Sequence, residues 1–260
     1  MRGLKDKIAV VTGGAKGIGK GVALRLAQEG TNIVVADILE EEAQKTAAEL
    51  QGLGVKAEAF KVNLCEENEI LALMEHVHKT YGRIDILVCV AGVQIRDWAT
   101  DFDTAKFDFL MNVNLRAYYL CSRTAARYMK EQGKGSIVCI SSGNSERFTT
   151  KRSPYNISKA AVNGLVATLG VEWGRFGIRI NAVAPGYVET DLMMSGVKEG
   201  IIDLDNIMKV IPMKRLLSTE EIGNGVAFLA SDEASGVTGQ TLFVDGGWSK
   251  SGLPEEKDMD

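Results

Sequence analysis

Three residues carry the chemistry this chain could do: Ser142, Tyr155 and Lys159. Tyr155 and Lys159 are four positions apart, so on a helix they share one face. A phenol loses its proton near pH ~10, and an adjacent ammonium favours the phenolate and lowers that value. A tyrosine tuned toward neutrality passes protons to and from an alcohol or a carbonyl. Ser142 follows the apolar run 136–141 and could orient the same oxygen. The spacing alone is not distinctive, since Tyr119 and Arg123 repeat it. The chain has only two histidines, His76 and His78, and a spacing of two puts them on different sides of a helix. A histidine metal site or a Ser-His-Asp triad is not expected, and acid–base work falls to other residues.

A second group binds rather than reacts. Thr12-Gly13-Gly14-Ala15-Lys16-Gly17-Ile18-Gly19 lies between the first strand pattern and the first helix pattern. Glycines at 13, 17 and 19 permit a tight turn, close approach of backbone to a pyrophosphate and close helix–strand packing. The helix that starts here points its free N–H groups and positive dipole end at the phosphates. Asp37 ends the second strand, 24 positions after Gly13 and near the ~20 expected of a carboxylate on the adenosine ribose. It repels a 2′-phosphate, which predicts NAD over NADP. Lys16, inside the loop, pulls the other way. Asp37 could also simply cap the following helix.

The elements that must hold these residues alternate. Strand patterns occupy 7–12, 31–36, 55–62, 84–90, 136–140, 178–183 and 241–245. Helix patterns occupy 18–29, 40–50, 66–81, 104–132 (long and bent), 155–175 and 219–230. The strands are apolar throughout, which predicts an α/β fold, a doubly wound parallel sheet with helices on both faces. Residues 1–252 read as a single Rossmann-type dinucleotide-binding catalytic domain, and 253–260 as a mobile polar tail.

Composition narrows the function. The 260 residues include 45% hydrophobic and 25% charged, ordinary values for a soluble globular protein. A net charge of -4 argues against nucleic acid or an anionic membrane as partner. No apolar run approaches the ~18 residues of a membrane span, and no secretory signal is visible. Cys65, Cys89, Cys121 and Cys139 are widely spaced and read as thiols of a reducing compartment, so a cytoplasmic protein is expected.

Taken together, Thr-Gly-x3-Gly-x-Gly in front and Ser142…Tyr155-x3-Lys159 behind resemble the short-chain dehydrogenase/reductase family. The ordered set also includes Asn112-Val-Asn114-Leu115, Pro185-Gly186…Thr190 and Thr238-Gly239…Asp245-Gly246-Gly247, and the likeness runs from about residue 4 to 248. The separation of 13 to Tyr155 selects Ser142 over Ser141. The resemblance implies that Tyr155 is the general acid/base and that Lys159 lowers its pKa and bonds the nicotinamide ribose. It implies that Ser142 steadies the substrate oxygen and that Asn114 holds a water linking Lys159 to solvent. Cofactor contacts are implied at Gly13, Lys16, Gly17, Ile18, Gly19, Asp37, Asn63, Leu64, Ala91 and Gly92. The segment Pro185, Gly186, Val188 and Thr190 is implied to lie beside the nicotinamide. A homotetramer is implied too, with helices 104–132 and 155–175 at one interface and the last strand at another.

Two positions depart from the family pattern. Cys89-Val90-Ala91-Gly92 stands where Asn-Asn-Ala-Gly is usual, and Asn63 where an aspartate often meets the adenine amine. Substrate contacts are expected from loops 93–101, 143–153 and 187–217. The last loop either folds as a small helical lid or packs on the body or a neighbouring subunit. Arg96, Arg147, Lys151 and Arg152 suggest an anionic hydroxy substrate such as a sugar acid. The expected activity is NAD(H)-linked oxidoreduction of a polyol, sugar or sugar acid. An NADPH-dependent 3-oxoacyl-thioester reductase, or a nucleotide-sensing protein without turnover, are the alternatives.

Overall fold

The computed structural model describes residues 1–251, and the expected tail at 253–260 lies outside them. Seven parallel strands form one sheet: β1 (Ile8–Thr12), β2 (Asn32–Asp37), β3 (Ala57–Lys61), β4 (Ile86–Cys89), β5 (Gly135–Ile140), β6 (Ile178–Pro185) and β7 (Thr241–Val244). Their order is β3-β2-β1-β4-β5-β6-β7. The central strands β1, β4 and β5 are buried along their whole length, as uninterrupted apolar runs require, while the edges β3 and β7 are half-buried.

Alternation along each strand feeds two cores. Val10, Val34, Leu87 and Ile137 face one helix layer, made of α3 (Glu67–Tyr81), α5 (Ala117–Gln132) and α6 (Ser153–Trp173). Val11, Val35, Val88 and Val138 face the other layer, made of α1 (Gly17–Gln28), α2 (Glu40–Gln51) and α9 (Thr219–Ala230). The sheet is therefore doubly wound, and the turns that can carry function collect at the carboxyl ends of the strands.

The expected long helix at 104–132 is three pieces. α4 (Thr104–Met111) runs into a π-helical turn at Asn112–Arg116, and α5 follows. The Ala117 N–H bonds the Asn112 carbonyl five residues back, and this wider turn is the bend. Between β6 and α9 lie two short helices, α7 (Asp191–Lys198) and α8 (Leu204–Val210), neither with a fully buried residue. Among the described residues no helix is long and apolar enough to cross a membrane.

α9 braces α1. A Cβ on Gly21 would lie 2.5 Å from the Thr219 side chain, so the two helices touch where α9 begins. That start is fixed by a capping box: Ser218 Oγ accepts from the Glu221 N–H (3.1 Å) and Glu221 accepts from the Ser218 N–H (2.8 Å). Arg215 grips both Glu221 oxygens at 2.8 and 2.7 Å, and this pair first, then the Ser218 N–H, holds the carboxyl down at about 2. A depressed carboxylate contributes stability above its unfolded value of ~4.3 and loses it as pH falls through the folded value. Glu221→Gln is expected to lower stability by ~1 kcal/mol at pH 7. The gap to the wild type should close between about pH 4.5 and 2, as read by urea unfolding across pH.

Candidate active site

The strand order reverses between β1 and β4, and the glycine loop sits at that switch point. Gly13 has φ +67, and a Cβ there would lie 2.6 Å from the Ala91 backbone at the end of β4. A Cβ on Gly19 would lie 1.9 Å from the Gly13 carbonyl oxygen, so only glycine lets α1 fold back on the loop. α1 starts at Lys16 with no side-chain cap and no acid in its first turn. Its leading N–H groups are left to an outside anion.

Asp37 closes the loop from β2. Its Oδ2 accepts from the Ala15 N–H (3.0 Å) and its Oδ1 from the Leu39 N–H (3.0 Å). Because α2 begins at Glu40 with Leu39 as its N-cap, Asp37 is not the cap of that helix. Each carboxylate oxygen keeps lone-pair capacity for a ribose hydroxyl. Lys16 lies 3.6 Å from Glu42, which offsets its charge. Asn63 Oδ1 accepts from the Cys65 N–H (3.1 Å), and Leu64 is buried beside it. At the departure from the family pattern at 89–90, the Val90 N–H is bonded to both the carbonyl and the hydroxyl of Thr12. On the far side, a Cβ on Gly17 would lie 3.8 Å from the Thr190 methyl group. The segment from Pro185 to Thr190 therefore lies against the glycine loop. It is held by the Gly186 N–H on the Val244 carbonyl (3.1 Å) and by a bridge from Val188 to Leu217. Ile18, half-buried, and Gly92, exposed, complete the rim. An uncapped helix end, a cradle that a Cβ would fill and a carboxylate beyond it fit a dinucleotide.

The second group stands at the ends of β5 and α6. Ser142 Oγ accepts from the Asn144 N–H (3.1 Å), which leaves its own proton for Tyr155 or a substrate oxygen. Ser141 is engaged elsewhere, with Asn163 Oδ1 (2.7 Å) and the Lys159 carbonyl (3.1 Å). Pro154 opens α6, and Tyr155 and Lys159 follow on one face. Asn114, fully buried in the π turn, is bonded to both backbone groups of Val93 and to Ser158 Oγ (3.2 Å). Ser158 in turn donates to the Tyr155 carbonyl (2.7 Å). Asn114 thereby joins the β4 loop to α6.

Lys159 is turned inward. Its Nζ donates to the Ile140 carbonyl (2.7 Å) and to Tyr118 Oη (3.5 Å), and lies 5.9 Å from the Tyr155 ring centroid. Burial lowers its pKa to about 8, against opposing contributions from Cys139 and Cys89. Burial raises Tyr155 above its ordinary value, and the Ser142 hydroxyl and Arg152 oppose it. With the ammonium bonded to the Ile140 carbonyl and 5.9 Å from the Tyr155 ring, burial outweighs any lowering of Tyr155 by its charge.

The loop cations divide. Arg147 donates to the Trp248 carbonyl (2.6 Å) and to that of Ser251, and its guanidinium stacks 5.7 Å over the Trp248 ring. Trp248 also packs edge-on against Tyr187 at 4.9 Å. Arg147 thus fastens the segment Trp248–Ser251 to loop 143–153, a contact between residues a hundred positions apart that no local pattern announces. Lys151 lies 4.8 Å over Trp98. Arg96 and Arg152 remain: the Asp97 N–H bonds the Lys151 carbonyl (3.1 Å), which stitches the two loops together beside them. Neither pairs with a carboxylate among the described residues. Those residues also gather no metal-binding cluster of His, Cys, Asp and Glu.

A doubly wound sheet with a glycine cradle at its switch point and a Ser-Tyr-Lys set beside it defines a dinucleotide-dependent oxidoreductase. The family profile described as enoyl-(acyl carrier protein) reductase matches residues 13–249. The 3-oxoacyl-[acyl-carrier-protein] reductase FabG of Thermotoga maritima is 35% identical over 244 residues, covering 94% of this chain and 98% of the relative. A putative gluconate dehydrogenase from Agrobacterium tumefaciens superimposes with TM-score 0.92 at 30% identity, covering 96% of this chain and 98% of that one. A putative 2-deoxy-D-gluconate 3-dehydrogenase from the same organism, with bound NADP, gives TM-score 0.86 at 31% identity, covering 94% and 97%. The chain belongs to the short-chain dehydrogenase/reductase family and is an NAD(P)-dependent enzyme acting on CH–OH groups.

Gly19→Ala is expected to weaken NADH binding at least about tenfold and to lower Tm as well, since a Cβ 1.9 Å from the Gly13 carbonyl oxygen displaces the loop that α1 folds back upon. Fluorescence titration of NADH checks it, and an unchanged Kd contradicts the cradle described above.

Proposed function

We propose that the chain transfers a hydride between NAD(H) and the secondary alcohol or ketone of a small polyol, sugar or sugar acid, with Tyr155 as general acid/base. The observation that carries this reading is the convergence of Ser142, Tyr155 and Lys159 beside the glycine cradle. When bound, the nicotinamide cofactor supplies or accepts the hydride. Tyr155 takes the hydroxyl proton during oxidation and returns it during reduction. Ser142, which accepts from the Asn144 N–H, has its own proton free to donate to the same substrate oxygen. Lys159 keeps a positive charge beneath the phenol, and Asn114 fixes the helix that carries both residues. Gly13, Lys16, Gly17, Ile18, Gly19, Asp37, Asn63, Leu64, Ala91, Gly92, Pro185, Gly186, Val188 and Thr190 hold the dinucleotide in this reading. Asp37 and the offset charge of Lys16 support NAD, although one structural neighbour binds NADP.

For the substrate, the unpaired Arg96 and Arg152 at the stitched loops favour a sugar acid, as do the two gluconate-type neighbours. α7 and α8 serve as its lid, and residues 1–252 act as one domain. The 3-oxoacyl-thioester reductase that the Thermotoga relative is named as is the second reading. The exposed stripe Ile157 and Val171 on α6, with Tyr119 on α5 and Phe109 on α4, supports a homotetramer. The free thiols suit the cytoplasm.

Tyr155→Phe is expected to lower kcat about 10²–10⁴-fold with little change in NADH affinity, since the acid/base group alone is removed. Turnover that survives the change would sink the reading. A higher kcat/KM with NADPH than with NADH would overturn the cofactor preference. Arg96→Ala is expected to raise KM for gluconate about tenfold and leave KM for its neutral analogue sorbitol unaltered, as loss of one charge-assisted hydrogen bond implies. Equal effects on both would remove the carboxylate from the proposal.

A further inference from the structure

Lys159 is buried, and among the described residues no carboxylate faces it. The groups turned toward it are the Ile140 carbonyl and the Cys139 thiol from β5, the Cys89 thiol from β4, Tyr118 from α5, and Tyr155 on its own helix. Both thiols are fully buried and pushed well above their ordinary values, so they stay neutral. Its charge is therefore held by dipoles alone.

Among the described residues Tyr118 is the one side chain that bonds it. The phenol is 1% exposed, and its hydroxyl donates to the Ile140 carbonyl at 3.3 Å. Its oxygen accepts from Lys159 Nζ at 3.5 Å, and its ring centroid lies 5.1 Å from that nitrogen. Ile140 O, Tyr118 Oη and Lys159 Nζ thus close a triangle in which one carbonyl receives two protons. Tyr118 follows Asn114 by four positions, so the π turn that buries Asn114 also sets Tyr118 under Lys159. A phenylalanine would fill the same core volume, and the hydroxyl has no partners outside this triangle among the described residues.

We propose that Tyr118 is a positioning residue for proton transfer: its phenol oxygen, with the Ile140 carbonyl, anchors the Lys159 ammonium and keeps it protonated beneath Tyr155. The role rests on the reading of Tyr155 as acid/base, but the anchoring itself can be measured without turnover. A hydrogen bond accepted from an ammonium favours the charged form, so its loss lowers the lysine pKa. Burial already brings Lys159 to about 8, which places its charge in balance near working pH. A lysine that turns neutral no longer favours the Tyr155 phenolate.

The test is a pH titration of cofactor-free protein carrying ¹³Cε-lysine, with the Lys159 resonance assigned by its loss in Lys159→Met. In Tyr118→Phe the Lys159 midpoint is expected to fall by about half to one pH unit, as removal of one hydrogen bond to a charged group implies. Tyr118→Leu, also without a hydroxyl, should shift it in the same direction. In NAD⁺-dependent oxidation of gluconate or sorbitol, the alkaline limb of kcat/KM should move down with it. Equal Lys159 midpoints in wild type and Tyr118→Phe would overturn the proposal, as would a lowered Tm with an unmoved midpoint, the mark of a packing role. A shifted midpoint together with full turnover in Tyr155→Phe would leave the anchoring intact and refute the acid/base reading instead.

Discussion

The site depends on a positive charge buried with no counter-charge beside it among the described residues. An ammonium removed from water is strongly disfavoured unless the surrounding dipoles replace its hydration. Here the replacement comes from the end of β5 through the Ile140 carbonyl and from α5 through Tyr118. The carbonyl is available because the β4–β5 ladder ends at Cys89 and Cys139, one residue before Ile140, and Tyr118 is in reach because a π turn re-aims the helix that carries it. Sheet, helix bend and lysine charge are one arrangement.

The same edge supplies the anion side of the chemistry. At the switch point β1 and β4 abut so closely that Gly13 has no room for a side chain against Ala91. Beyond it α1 begins without a side-chain cap or an acid in its first turn, which suits a phosphate. Asp37 performs two tasks with two oxygens, bracing the loop through Ala15 and offering an acceptor beyond it. The glycine loop and the Ser142, Tyr155 and Lys159 set thereby stand on strand and helix ends, with the longer loops above them.

Those loops are joined by contacts of long sequence separation. Asn144, Thr149 and Asn156 form a buried amide–hydroxyl network that shapes loop 143–153 from within. Arg147 and Trp248 close it from the other end of the chain. The backbone bond from Asp97 to Lys151 ties it to the β4 loop. A cation that looks free in a linear reading can thus be committed to a carbonyl far along the chain.

The strand and helix alternation, the doubly wound sheet and the Tyr155/Lys159 face were legible from the order of residues, because apolar runs, glycine turns and a four-residue spacing are local signals. α9 at Thr219–Ala230 matches its expected bounds because a capping box and a closing serine mark both ends within the sequence. A bend in the long helix was expected, but its place and its π geometry at Asn112–Arg116 were not legible, since a π turn is selected by what packs against it and not by its own residues. Nor was the division of the four loop cations, nor the part of Tyr118, which reads as one more aromatic in an amphipathic helix. Local patterning determined which elements form and which residues share a face. The tertiary structure alone decided which carbonyls, hydroxyls and charges meet, because those partners come from strands and loops far apart in the chain and only packing brings them together.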